Sequence, residues 1–131
     1  MSLTMFHGEN FNYQDVRTGL SGEAIGFERA CLKLSSGELV KTTADTDVAV
    51  GLSYEDYADE DANTEYIQRG RLRYVAGGTI AVGDPLCPDN GTAGRIRKAV
   101  AADRVVGTAV TTGTAGEFAM GDFDFVANTV V

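Results

Sequence analysis

Few side chains in this sequence have the types and spacing that catalysis or metal binding requires. The chain has one histidine, His7, and two cysteines, Cys31 and Cys87, which stand far apart. A zinc site needs about four nitrogen or sulfur ligands, or about three and a water. A serine or cysteine nucleophile usually needs a base beside it. The sequence therefore predicts no metal site, no cofactor and no enzyme activity.

The two cysteines have a simpler interpretation as packing residues. Free cysteine behaves as a small hydrophobic side chain and is often buried. We therefore expect Cys31 and Cys87 to be reduced. A disulfide between them is the alternative, which depends on geometry that the sequence does not contain.

Acidic side chains are concentrated in residues 54–65, where six of the twelve are Asp or Glu. The segment lacks the alternating Asp-x-Asp-x-Asp-Gly order of an EF-hand calcium loop. We interpret it as an exposed insertion loop, with cation binding as the alternative. A short helix capped by Ser53 is the competing prediction for its backbone.

Two segments, 70–75 and 121–126, alternate charged with apolar residues. Because successive side chains of a strand point to opposite faces, each segment predicts a strand with one charged face. The first carries arginines and the second carries aspartates. Neighbouring strands would form a ladder of ion pairs, separated strands could pair across a subunit interface, and a solvated face is the third alternative. The interface candidates from this pattern are Arg71, Arg73, Asp122 and Asp124.

Short runs of β-branched and aromatic residues, bounded by Gly, Asp, Asn or Pro, continue through the rest of the chain. Such spacing is typical of an all-β sandwich or barrel. The runs recur in two copies, 24–75 and 80–126. Matched residues, each 56 positions apart, are Cys31 with Cys87, Asp47 with Asp103, and Gly51 with Gly107. We predict a small all-β domain over 23–131, a β-barrel or β-sandwich built from two related halves.

Glycines mark the expected turns and bends of this domain. Asn90-Gly91 predicts a hairpin, because both residues tolerate positive φ. Gly51 and Gly107 follow apolar runs and predict a bulge or a sharp bend.

Residues 1–22 show no helical or strand periodicity, and we interpret them as an extended N-terminal arm. The aromatic residues Phe6, Phe11 and Tyr13 could anchor the arm in pockets on another subunit. An arm folded back on its own domain is the equal alternative.

Composition limits the partners. The 131 residues suffice for one domain, and the net charge of −8 argues against direct binding of nucleic acid. Residues 1–65 carry 4 basic and 13 acidic side chains, and residues 66–131 carry 7 and 6. Apolar runs are too short to cross a membrane, and residues 1–20 lack the pattern of a secretory signal.

The second half carries a family resemblance. Gly-Asp-Pro-Leu (83–86), Arg-Ile-Arg-Lys-Ala (95–99), Arg-Val-Val-Gly-Thr-Ala-Val (104–110) and Ala-Gly-Glu-Phe (115–118) resemble the capsid decoration, or cement, proteins of tailed phages and related viruses. The resemblance implies a compact β-barrel of the β-tulip type. It also implies a homotrimer on the outer surface of a virion, with an N-terminal segment bound to the major capsid protein. On that reading the protein is made in the host cytoplasm and stabilises the capsid.

A small carbohydrate- or ligand-binding β-module, such as a virion surface adhesin, is the alternative function. Tyr54, Tyr57 and Tyr66 are the candidates for its aromatic surface. The lack of tryptophan argues against it, because stacking sites favour large rings.

Overall fold

The computed structural model describes residues 14–101, 103–126 and 129–130, and every regular element among them is a β-strand. The all-β prediction is therefore confirmed. The strands are β1 (Gln14–Leu20), β2 (Cys31–Ser35), β3 (Glu38–Lys41), β4 (Ala49–Ser53), β5 (Asn63–Val75), β6 (Pro85–Pro88), β7 (Ile96–Lys98), β8 (Arg104–Val105), β9 (Gly107–Ala109), β10 (Phe118–Asp124) and β11 (Thr129–Val130).

Nine of these strands form one curled antiparallel sheet. Its order is β3-β2-β4-β5-β10-β9-β6-β7, and β1 pairs with β5 beside that path. β8 and β11 form a separate pair. The order is mirrored about the central pair of β5 and β10, because each of the two strands is followed outward by three short ones.

β1 and β10 lie end to end along the same side of β5. Backbone groups of a strand alternate sides, so even-numbered and odd-numbered residues of β5 bond to different neighbours. The carbonyl of Ala62 accepts the N–H of Ser21, which follows β1, and the carbonyl of Gln68 accepts the N–H of Phe125, which follows β10. The carbonyl of Glu65 accepts instead from the residue after β4. Since β1 and β10 are both antiparallel to β5, they also run in the same direction.

Two groups of buried side chains fill the curled sheet. The larger includes Tyr74, whose ring meets Phe123 edge-on at 5.5 Å, and Phe123 in turn stacks on Phe125 at 5.4 Å. Such aromatic pairs contribute roughly 0.5–1.5 kcal/mol each beyond the burial of their area. The smaller group lies within the first half and consists of Ile25, Ala30, Leu32 and Leu39. The apolar faces predicted for 70–75 and 121–126 therefore form the centre of the core.

Gly51 and Gly107 allow close approach between strands. A Cβ at Gly51 would lie 2.7 Å from the carbonyl oxygen of Ile67, and a Cβ at Gly107 would lie 2.5 Å from that of Asp122. Both distances are too short for a side chain to fit. The pairing of β2 with β4 also shifts register next to Gly51, between Gly51 and Ala49, as a bulge does.

Two local predictions need correction. β6 and β7 form a hairpin around Asn90-Gly91, but the positive φ of its loop, +79°, falls at Gly94. The loop is organised by Asp89, whose Oδ2 accepts the N–H of Thr92 at 3.0 Å. The helix alternative for 54–65 is wrong, because the segment is a loop that leads into β5 at residue 63.

Backbone hydrogen bonds recur between the two halves. Ser21 donates to the carbonyl of Ala62 at 3.0 Å, and Ala76 donates to that of Glu117 at 2.9 Å, both residues lying 55 positions further on. The residues matched in the predicted repeat lie 56 positions apart, one more than in these hydrogen bonds, and the repeat stays a prediction. In these hydrogen bonds, Ala76, which follows β5, corresponds to Ser21, which follows β1. The C-terminal half of β5 thus corresponds to β1.

Asp47 and Asp103 organise equivalent loops. The N–H of Asp47 donates to Ala44 and that of Asp103 to Val100, each at 3.1 Å, and each carboxylate accepts the N–H of the same residue in return. Burial opposes the charge of Asp47, but hydrogen bonds from the loop backbone and from Lys33 hold its pKa below the usual value. The matched carboxylates therefore stabilise loops.

Candidate interaction surface

The outer face of the central strand pair carries the strongest charged contact. Arg71 lies directly opposite Asp122 in the ladder. Its Nε and Nη2 donate to the two carboxylate oxygens at 2.8 and 3.1 Å. These hydrogen bonds raise the pKa of Arg71. Both side chains are about half exposed, so the pair remains in contact with water.

Arg69 marks the point where β1 and β10 meet. Its Nε lies 3.3 Å from a carboxylate oxygen of Asp15 and 3.4 Å from one of Asp124. Asp15 has a left-handed backbone, with φ of +57°, which is uncommon for a residue with a side chain. This left-handed residue lies at the start of β1, beside the end of β10.

Arg73 connects β5 to the loop that precedes β2. Its Nη2 donates to Glu28 at 3.0 Å, and its guanidinium carbon lies 4.8 Å from the ring centroid of Phe118. A cation over an aromatic face at this distance is attracted by the ring.

The alternation of charge therefore identifies which side chains of β5 and β10 lie on the outer face. The register between the two strands decides which of these side chains pair. The structure pairs Arg71 with Asp122, whereas Asp124 pairs with Arg69 and Arg73 pairs with Glu28. The arm aromatics Phe6, Phe11 and Tyr13 lie outside the described residues. Residues 14–20 of the predicted arm form β1.

An exposed apolar surface borders this charged face. Phe118, the first residue of β10, is 49% exposed and has a groove on each side. One groove, of about 360 Å³, is lined by Phe27, Val75, Thr92, Arg95, Gly116 and Phe118. The other, of about 340 Å³, is lined by Arg73, Thr111, Phe118, Ala119 and Met120. We call the residues around both grooves the Phe118 surface.

The basic residues of 95–98 differ in how they are used. Arg97 donates to Asp45 at 2.7 Å and lies 3.2 Å from Asp103, so its charge is neutralised within the chain. No carboxylate in the described parts of the chain forms an ion pair with Arg95. The Phe118 surface therefore combines an apolar floor with one cation available to a partner.

Sequence reasoning did not single out Phe118, and it considered Arg95 only as one of a basic group with Arg97 and Lys98 that could face an acidic partner. The available signal was position, because Phe118 shares the even numbering of Asp122 and Asp124 and so belongs to the outward face of β10. An aromatic residue on a charged, outward face is the unusual feature that could have identified it.

The second half of the acidic loop is attached to the residue that follows β1. The hydroxyl of buried Ser21 donates to the carbonyl of Asp59 at 3.1 Å and accepts the N–H of Ala62 at 3.1 Å. The acidic residues of the loop are themselves exposed. Among the residues that the structure describes, no three His, Cys, Asp or Glu side chains converge to hold a metal ion.

Both cysteines are buried and free, so the disulfide alternative is not formed. Burial raises the pKa of the Cys31 thiol to about 12, and burial is also the main cause that raises that of Cys87 to about 12. A thiol with so high a pKa stays protonated near neutral pH and is a poor nucleophile.

The tyrosines proposed for a ligand-binding surface have structural contacts. Tyr54 lies beneath the guanidinium of buried Arg29, at 5.4 Å. The hydroxyl of Tyr57 accepts the N–H of Glu65 at 3.1 Å, and Tyr66 packs on the smaller core group. The three rings are partly buried and serve different contacts.

No protein-family model and no curated protein sequence matches the chain. No helix within the described ranges is long and apolar enough to span a bilayer. Among solved structures, the chain is similar to the N base of the head fiber gp8.5 of bacteriophage phi29, a crystal structure. The TM-score is 0.62 at 16% identity, over 84% of this chain and 93% of that one. The chain therefore shares the fold of the base of a phage head fiber.

Proposed function

We propose that this protein is a non-enzymatic structural component of a virus particle, bound to the outer surface of the capsid, where it stabilises contacts between major capsid protein subunits. The observation that carries the proposal is the fold shared with a phage head fiber base over most of both chains. The motifs of 83–118 that resemble capsid decoration proteins point to the same location.

The use of the polar residues supports a structural role. Asp47 and Asp103 hold loops, Arg71 and Asp122 join the central strands, and Ser21 fastens the acidic loop. Polar side chains of the kind that a catalyst would expose form contacts within the sheet and its loops instead. The reactive candidates, the two cysteines, are buried.

We further propose that the protein binds as a homotrimer, with its arm and the outer face of β5 and β10 as contact regions. Linked copies bind a repeating lattice more tightly than one copy, because the second and third contacts become intramolecular. The candidate contact residues are Phe6, Phe11, Tyr13, Arg71, Arg73, Asp122 and Asp124.

The acidic segment would then face away from the particle. Five carboxylates of the exposed loop 54–62 give the outer surface negative charge. Like charge keeps particles apart and soluble.

The decisive experiment uses capsids assembled from the major capsid protein encoded by the same genome. The purified protein should co-sediment with these capsids at a fixed ratio to the capsid subunits. Decorated capsids should also withstand higher temperature than bare ones. Co-sedimentation with no gain in thermal stability would support binding to the capsid but refute the stabilising role. The absence of co-sedimentation would refute the whole proposal.

A further inference from the structure

We propose that the Phe118 surface is the docking site for residues 1–13 of a second copy of this chain. This inference names a contact within the proposed homotrimer and rests on that part of the proposed function. It requires an occupant that is apolar, carries negative charge and can reach the surface.

The surface has the chemistry of a docking site. Phe118 is half exposed at the start of an otherwise well-paired strand, between two grooves floored by Val75 and Met120. Exposed aromatic side chains next to arginine are typical of the residues that dominate protein interfaces. Arg95 adds a cation that has no ion-pair partner among the described residues.

Residues 1–13 have the complementary composition. They carry six apolar or aromatic side chains, one carboxylate at Glu9, and no lysine or arginine. Glu9 stands between Phe6 and Phe11, so a bound segment offers a negative charge flanked by two rings. This combination matches a surface that offers Phe118 beside Arg95.

The arm also has the reach. Thirteen residues span up to roughly 43 Å when extended. The path beside β5 is already taken, because β10 lies in line with β1 on the same side and ends where β1 begins. Pairing of residues before Gln14 with β5 on this side would therefore collide with β10.

The charged ladder favours a second copy over the same copy. An arm that ran straight back over its own β10 would cover Arg71 and Asp122, whose side chains are 47% and 53% exposed. Covering this pair with apolar residues removes water from both charges and supplies no new partner. In the proposed docking, the arm of a neighbouring copy approaches Phe118 without crossing the Arg71–Asp122 pair.

The first test is self-association of the full-length chain. Sedimentation velocity over a concentration series should show oligomers that Phe118→Ser weakens at least about tenfold in dissociation constant. The matched control is Val82→Ser, which removes an apolar side chain that is 65% exposed and does not line either groove. Arg95→Glu, which reverses the charge in the groove beside Phe118, should also weaken association. A monomeric wild-type chain, or equal effects of Phe118→Ser and Val82→Ser, would overturn the proposal.

The second test identifies the occupant. An unlabelled chain carrying a nitroxide at Ser2→Cys is mixed with ¹⁵N-labelled wild-type chain, and the buried native cysteines leave the introduced thiol as the reactive one. Amide signals of Gly116 and Phe118 should broaden in the mixture. Broadening confined to samples with both labels on one chain would show the arm folded on its own copy and refute the proposal.

These outcomes are separable from the proposed function. A chain that self-associates through Phe118 and ignores capsids refutes capsid binding and keeps this inference. A monomeric chain that decorates capsids refutes this inference and keeps capsid binding.

Discussion

Arg71 and Asp122 face each other across β5 and β10 and are joined by two hydrogen bonds on a solvent-exposed face. Exposed ion pairs add little net stability, because water competes for both charges and salt screens them. The pair is more informative about register than about stability, since it shows which residues of the two central strands lie opposite each other.

The first prediction concerns that register. Arg71→Asp places two carboxylates opposite each other and should lower the melting temperature by about a few degrees at low salt. The double variant Arg71→Asp with Asp122→Arg should recover most of the loss, and added salt should reduce the effect of the single variant. Thermal melts at two ionic strengths measure all three. A double variant as unstable as the single one would contradict the pairing.

The second prediction concerns the hydroxyl of Tyr74, which is buried and has no hydrogen-bond partner in the described part of the chain. Burying an unpaired hydroxyl costs free energy, so Tyr74→Phe should leave the free energy of unfolding unchanged or raise it by up to about 1 kcal/mol. The ring itself is required, and Tyr74→Ala should cost about 3–5 kcal/mol. Urea denaturation of the two variants measures the difference, and a large loss in Tyr74→Phe would reveal a missing partner.

The third prediction concerns alkaline pH. The pKa values of Cys31 and Cys87 are raised from 9.0 to about 12 by burial, so the folded state keeps protons that the unfolded state releases. Stability is therefore intact below pH 9 and should fall as the pH rises from about 9 to 12. Cys31→Ala should flatten this fall, although it lowers stability at neutral pH through the cavity it leaves. Urea midpoints at several pH values measure the slope, and an unchanged slope would show that other groups cause it.

The fourth prediction concerns close strand approach. Gly107→Ala puts a methyl group 2.5 Å from the carbonyl oxygen of Asp122 and should lower the free energy of unfolding by about 1–3 kcal/mol. Gly78→Ala is the control, because no atom lies within 4 Å of the added Cβ and its φ is not positive. Equal denaturation midpoints for the two variants would show that β9 can shift away from β10.

The sequence predicts the strands that have one buried face. Residues 70–75 and 121–126 alternate charged and apolar side chains, and this period of two identifies a half-buried strand and its faces. The period does not contain the register. Asp124 therefore meets Arg69 instead of the arginines of the charge pattern, because the antiparallel pairing sets Asp122 against Arg71.

The period of two does not identify β1, and the reason is physical. Asp15, Val16, Arg17 and Thr18 are all exposed, so this strand has no buried stripe to produce a pattern. Its stabilisation comes from pairing with β5, which depends on a partner about fifty residues away. The Phe118 surface was missed for a related reason. A single aromatic residue in the first position of a strand resembles a core residue until the neighbours of the strand are known.

The in-line arrangement of β1 and β10 has a mechanical consequence. A pull on residues 1–13 along the axis of β1 would load the hydrogen bonds between β1 and β5 together, in shear. A pull across the strand would open the same bonds one after another, as a zipper opens. A tether attached through the N-terminus would thus hold best when the tension runs parallel to β5.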